Sequence, residues 1–174
     1  MKKITSFMAL IASAFFAMQA PAIPLQQAYD EAGPGAGYEK MVYLDPAEVY
    51  TGGILLEDGP VCILSCGALV DLQGDRIYVE PGTVLDICGV VLTNSDSAAL
   101  KYYGAGEGWI DHCTFVGNYD GLYFWENSDM LITSNIFSYS SHWGVYTHTG
   151  ADRWMAFNDA WANTAGNYKE FCPG

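Results

Sequence analysis

The sequence predicts an all-β solenoid, in which short parallel strands wind into about five coils behind an N-terminal cap. Three observations predict it. Stretches reading "ILSCGALV" (63–70), "LDICGVVL" (85–92), "IDHCTFVG" (110–117), "ITSNIFSY" (132–139) and "MAFNDAWA" (155–162) share one pattern, with Cys66, Cys88, Cys113, Asn135 and Asn158 spaced 22, 25, 22 and 23 apart. A second column keeps the same period: "DGLYFWENSDM" (120–130) aligns with "WGVYTHTGADR" (143–153) at an interval of 23, and "GNY" (166–168) continues it 22 residues on. From residue 50 onward no helical stripe appears, only apolar runs of four to six residues separated by Gly, Asn, Asp and Ser clusters. A period near 22 suits three strands per coil, each coil stacked about 4.8 Å above the last.

Taken in order, the chain opens with "MKKITSFMALIASAFFAMQAPA", where Lys2 and Lys3 precede an apolar run and small residues end it. Residues 1–22 therefore read as a signal peptide, with the mature chain starting at Ile23, and the run is too short to span a bilayer. The expected destination is secreted or extracellular, in the periplasm or at the cell surface. Residues 23–37, "IPLQQAYDEAGPGAG", are polar and glycine-rich and read as a flexible leader or a cap. Residues 38–60 hold two short strand patterns around "DPAE" and read as the N-terminal cap with the first strands. Residues 61–174 carry the coils. Within them, "ALVDLQG" and "TVLDICG" repeat at an interval of 15, too short for a coil, and so mark successive faces of one coil.

Removing Lys2 and Lys3 leaves five basic residues against twenty acidic ones, a net charge near −15. That charge argues against nucleic acid or an anionic membrane surface as partner, because phosphate binding needs a positive face. Five cysteines in an oxidising compartment permit disulfides, and the odd count leaves at least one thiol unpaired in a monomer. Their spacing matches no zinc pattern.

Stacked coils explain the repeat column. A run of asparagines can satisfy itself from coil to coil, and Cys66, Cys88 and Cys113 would continue the column as small buried hydrophobes. The adjacent pair His112–Cys113 is then a rung and its outward neighbour, not a nucleophile with its base, since neighbouring strand residues face opposite ways. A Cys66–Cys88 or Cys88–Cys113 disulfide is compatible with one coil step.

The segments "ALVDLQGDRIYVEPGTVLDICGVVLTN", "SNIFSYSSHWGVY" and "NDAWANTAGNY" resemble secreted right-handed parallel β-helix repeat proteins of the pectate-lyase-like superfamily, over residues 38 to 172. The resemblance implies a single right-handed parallel β-helix, the hand also expected of parallel crossovers. For function it implies a range, from lyases and hydrolases to carbohydrate binders, adhesins and inert modules. The lyases it resembles have longer solenoids, grooves built by extended loops, calcium-binding acids and a catalytic arginine or lysine. Here the repeat region offers only Arg76, Lys101, Arg153 and Lys169.

Three sets of residues are candidates for chemistry. Glu107, Asp129 and Asp152 fall at one turn position on consecutive coils, where like charges repel unless solvent, Arg153 or a Ca²⁺ ion intervenes. No cofactor is required by the fold, and Ca²⁺ is the one this column would take. With Leu122, Phe124, Val145 and Thr147 inward, Tyr123, Trp125, Tyr146 and His148 point outward, and Tyr168 extends them. Such an aromatic row suits the apolar faces of sugar rings. Asp111, Asp120, Glu126 and Asp159 are carboxylates that glycoside cleavage would need in pairs. His112, His142 and His148 share no column. The expected function is a secreted structural or adhesive module, non-catalytic, that binds a glycan or cell-surface polysaccharide, or forms homo-oligomers through its coil ends. The alternative is a polysaccharide lyase or glycoside hydrolase.

Overall fold

A computed structural model describes residues 21–57, 59–104, 106–125, 129–148 and 153–169. The strands form three parallel ladders that run the length of a solenoid. The first contains Lys40–Tyr43, the opening half of Pro60–Gly74, the opening half of Val84–Ser95, then Glu107–Asp111, Asp129–Thr133 and Arg153–Ala156. The second runs through Ile23–Pro24, Val49–Thr51, the closing halves of those two long strands, then Thr114–Val116, Ile136–Ser138 and Asp159–Trp161. The third is a six-stranded sheet of Ile54–Leu56, Ile77–Val79, Ala98–Tyr102, Asp120–Phe124, Trp143–Thr147 and Gly166–Tyr168. Six coils result, because Lys40–Tyr43, Val49–Thr51 and Ile54–Leu56, within the segment assigned to the cap, already form one.

Alternation sets the core. In each strand every second side chain turns inward, so Leu100, Leu122 and Val145 stack at one level and Tyr102, Phe124 and Thr147 at the next, all buried. Rings repeat this stacking inside the solenoid, with Phe115 over Phe137 at 4.8 Å and Tyr102 over Phe124 at 5.3 Å.

Corners decide the register. Gly67, Gly89, His112, Ser134 and Phe157 all adopt positive φ, between 50° and 111°, at intervals of 22 and 23. Each turns the chain from the first ladder to the second, and the residue after it faces the core corner. That residue is Ala68, Val90, Cys113, Asn135 or Asn158, as the pairings Ala68 with Val90, Val91 with Thr114, Thr114 with Ile136, and Ile136 with Asp159 require. The asparagines work as expected. Asn135 Oδ1 accepts from the Cys113 N–H at 2.9 Å and its Nδ2 donates to the Ile110 carbonyl at 2.9 Å. Asn158 does the same one coil on, accepting from Asn135 N–H and donating to the Ile132 carbonyl. A side-chain amide thus replaces the strand partner that the bent backbone lacks.

The column of cysteines is corrected by this register. Cys113 is buried in line with Asn135, but Cys66 and Cys88 lie two residues before that position, next to the corner glycines, Cys66 exposed and Cys88 half-buried. Cys88 pairs with Asp111 rather than Cys113. The reason is conformational: the left-handed corner falls to Gly67 and Gly89, and the position after it takes Ala68 and Val90. Cys62, Cys66, Cys88 and Cys113 are all free thiols, so neither anticipated disulfide is formed; Cys172 lies outside the described residues.

A second corner repeats the device. Asn94, Gly117, Tyr139 and Ala162 have positive φ, followed by Ser95, Asn118, Ser140 and Asn163. Asn118 accepts from Ser95 N–H and donates to the Leu92 carbonyl, and Asn163 accepts from Ser140 N–H and donates to the Phe137 carbonyl.

The segment read as a flexible leader is ordered. Ile23–Pro24 pairs with Tyr50 and Thr51, and the helix Leu25–Glu31 drives a fully buried Leu25 into the open end of the core. Lys40 Nζ donates to the carbonyls of Tyr29 and Asp30, satisfying the helix C-terminus and complementing its dipole. Seven residues are too few to hold a helix by propensity alone, so burial of Leu25 holds this one. Most of the expected signal peptide, residues 1–20, lies outside the described residues. No helix among the described residues is long and apolar enough to cross a membrane.

Substituting Asn135→Ala strands a buried N–H on Cys113 and a carbonyl on Ile110, and should cost about 3 kcal/mol in denaturant unfolding. Gly89→Ala should destabilise comparably, by about 1–3 kcal/mol, because φ is +70° and a Cβ would stand 2.1 Å from the Ser65 carbonyl oxygen. Asn94→Ala puts a less tolerant residue at φ 59° and removes the hydrogen bond to Asp71, and should cost about 1 kcal/mol by the same measurement.

Candidate functional site

The outward side of the third ladder carries the aromatic row. Register places Tyr78 beside Lys101, Lys101 beside Tyr123, and Tyr123 beside Tyr146. Tyr123 and Tyr146 stack at 4.8 Å, 10° from parallel. Two residues further along each strand runs a second column, Tyr103 on Trp125 at 5.5 Å and Trp125 on His148 at 4.2 Å. Tyr119 and His142, stacked at 4.9 Å, flank the other side. Two ammonium groups interleave with the rings. Lys101 Nζ lies 5.9 Å from the Tyr78 centroid and 5.1 Å from that of Tyr123. Lys169 Nζ sits 3.9 Å from the Tyr146 centroid and donates to its hydroxyl at 2.6 Å.

Tyr123, Trp125, Tyr146 and His148 are thus brought together as expected, but Tyr168 is not among them. The backbone pairs Trp143 with Gly166, an interval of 23, so Tyr168 lies beside Val145 and turns toward the core. A one-residue change of register exchanges inside and outside. Lys169 takes the place next to Tyr146 instead.

A carboxylate anchors the edge of this face. Asp120 is buried, accepts from the Trp143 N–H at 2.9 Å and pairs through Oδ1 with His142 Nδ1 at 3.0 Å. Burial raises its pKa above the ordinary aspartate value against the opposing pull of these hydrogen bonds and of Lys101. Burial, then Arg76, lowers the Lys101 pKa, and burial followed by the charge of Tyr146 pushes Tyr123 up to about 12. At neutral pH Tyr123 remains a phenol and a hydrogen-bond donor.

Matching the repeat against known families decides the class: the pattern of a right handed beta helix region matches residues 47–168. The chain belongs to the right-handed β-helix family. Neither the curated proteins nor the solved structures yield a significant match.

Elsewhere on this β-helix the expected acidic column is partly placed. Glu107 and Asp129 do pair on adjacent strands and are exposed, while Asp152 lies outside the described residues. The carboxylates considered for glycoside cleavage are dispersed: Asp111 lies on the first ladder, Asp159 on the second and Asp120 on the third, and Glu126 is outside the described residues.

A cluster that the linear sequence conceals lies at the first corner. Cys88 and Asp111 are register partners one coil apart, and the left-handed turn at His112 folds its ring back so that Nδ1 meets Asp111 Oδ2 at 2.6 Å. Asp111 Oδ1 accepts from Thr133 Oγ1 at 2.6 Å, and that hydroxyl accepts from Trp109 Nε1 at 2.9 Å. Anchoring the register on Gly67 and Gly89 is the signal that would have found it. Tyr78, Tyr103, Tyr119, Lys101 and Lys169 were missed on the aromatic face for want of the same register.

Burial pushes the Asp111 carboxyl up, but the Thr133 hydroxyl and the His112 ring outweigh it and hold the group below the ordinary aspartate range. A depressed folded pKa adds stability above the unfolded value, about 3.9, and that stability is lost as pH falls through the folded pKa. Thr133→Val should therefore cost about 1 kcal/mol at neutral pH. In urea titrations at several pH values its cost should shrink as pH falls below the ordinary aspartate value.

Proposed function

We propose that this β-helix is an exported glycan-binding module whose binding surface is the aromatic face of the third ladder, with a preference for carboxylated sugars. One observation carries the reading. In a chain with only seven lysines and arginines, Arg76, Lys101 and Lys169 all belong to the face where Tyr78, Tyr103, Tyr123, Trp125, Tyr146 and His148 gather. Flat rings with hydroxyl rims offer sugar rings contact area and hydrogen-bond partners at low entropic cost. The ammonium groups meet uronate carboxylates, which the acidic remainder of the surface repels. A coil rise of about 4.8 Å is close to the length of one pyranose ring, so a polysaccharide running along the axis meets similar groups at each coil.

Affinity electrophoresis of the mature protein through gels containing polygalacturonate, alginate or neutral glucan tests this. Retention should be strongest in the uronate gels and weaken with salt. Tyr123→Ala and Tyr146→Ala should each weaken Kd several-fold, about 1 kcal/mol, and Lys101→Gln should weaken uronate retention selectively. Migration unaffected by any of these polysaccharides would sink the reading.

A polysaccharide lyase or hydrolase is the second reading, favoured by the shifted groups Asp120, Lys101 and Tyr123 lying on that same face. Incubation with polygalacturonate, with and without Ca²⁺, should then release unsaturated product from a lyase or new reducing ends from a hydrolase, and Asp120→Asn should abolish either. Self-association through the coil ends draws less support, because the Leu25–Glu31 helix covers one of them.

A further inference from the structure

The geometry of Cys88, Asp111 and His112 points to a metal site: we propose that these side chains bind one Zn²⁺-class ion across two consecutive coils. One ligand atom from each of the three lies within 4.8 Å of the other two. Ligand atoms around a tetrahedral zinc stand about 3.5 Å apart, so rotamer adjustment suffices to close the site. Sulfur, imidazole nitrogen and a single carboxylate form a borderline-soft donor set. It suits Zn²⁺ or Co²⁺ and not Ca²⁺, which takes oxygen ligands.

The surroundings fit a held ligand set. Thr133 and, through it, Trp109 fix Asp111, as outer groups do for metal-bound carboxylates. His112 is exposed at the corner, which leaves a path for the ion from solvent, and Asp111 closes the inner side. Cys66, exposed on the preceding coil, is near enough for its charge to act on Cys88.

A thiol nucleophile with a histidine base is the rival chemistry for the same three residues. An activated cysteine needs its thiol acidified by nearby positive charge. Here burial, Asp111 and Cys66 all push Cys88 the other way. A bound dication reverses that pressure, releasing the thiol proton as the metal–sulfur bond forms.

The test is a Co²⁺ titration of tag-free, chemically reduced protein, read by absorption. A thiolate-to-cobalt charge-transfer band should grow to one ion per chain, and Zn²⁺ should displace it. Cys88→Ser should remove the band. His112→Ala and Asp111→Asn should weaken Co²⁺ binding at least ten-fold, and Thr133→Val should weaken it about ten-fold while keeping the band. Zn²⁺ should also protect Cys88 of the unsubstituted protein from alkylation, mapped by mass spectrometry, a measurement independent of whether the variants fold. The proposal fails if no charge-transfer band forms, if it persists in Cys88→Ser, or if protection maps to Cys62 or Cys113 instead. Glycan retention uses a different face, so its failure and that of the metal site are separately read.

Discussion

The backbone at each corner governs the rest of the molecule. A parallel ladder satisfies its amides only while strands run straight, and the chain must bend from one ladder to the next in every coil. The bend is made by a left-handed residue, and the groups it strands are recovered by the amide of Asn135, Asn158, Asn118 or Asn163 reaching to the coil before. These bonds lie inside the core wall, where an unmet N–H or carbonyl is costly. Because each amide addresses one N–H and one carbonyl, it fixes both the shape of the turn and the vertical alignment of two coils.

That alignment is what assembles every surface feature. Tyr123 stacks on Tyr146, and Cys88 faces Asp111, because residues 23 apart in sequence are held side by side. The two features sit on different sides of the solenoid, one on the third ladder and one at the corner between the first and second. Their chemistry differs accordingly: broad aromatic contact with interleaved cations on one, a compact sulfur, nitrogen and oxygen set on the other.

The solenoid was legible in the sequence because its period is written several times over. The inward and outward alternation of Leu122 to Trp125 and of Val145 to His148 could be read for the same reason. What escaped was register at the level of one or two residues. Aligning on cysteine identity, and not on the corner glycines Gly67 and Gly89, set Cys66 and Cys88 in the wrong column. Assuming an interval of 22 for the final tyrosine put Tyr168 outside, although the backbone keeps 23 there. The order of residues 23–31 was hidden too, because a short polar helix is stabilised by Leu25 entering a core built from residues far along the chain.

The near-constant interval between corners also bears on how such a chain can grow or shrink. Duplicating or deleting a whole segment of 22 or 23 residues leaves every surviving coil with a neighbour of the same shape. One extra residue within a strand would instead turn the following side chains inside out. Length changes in this architecture are therefore quantised in coils, and the stretches that lie between ladders are where smaller insertions can be absorbed.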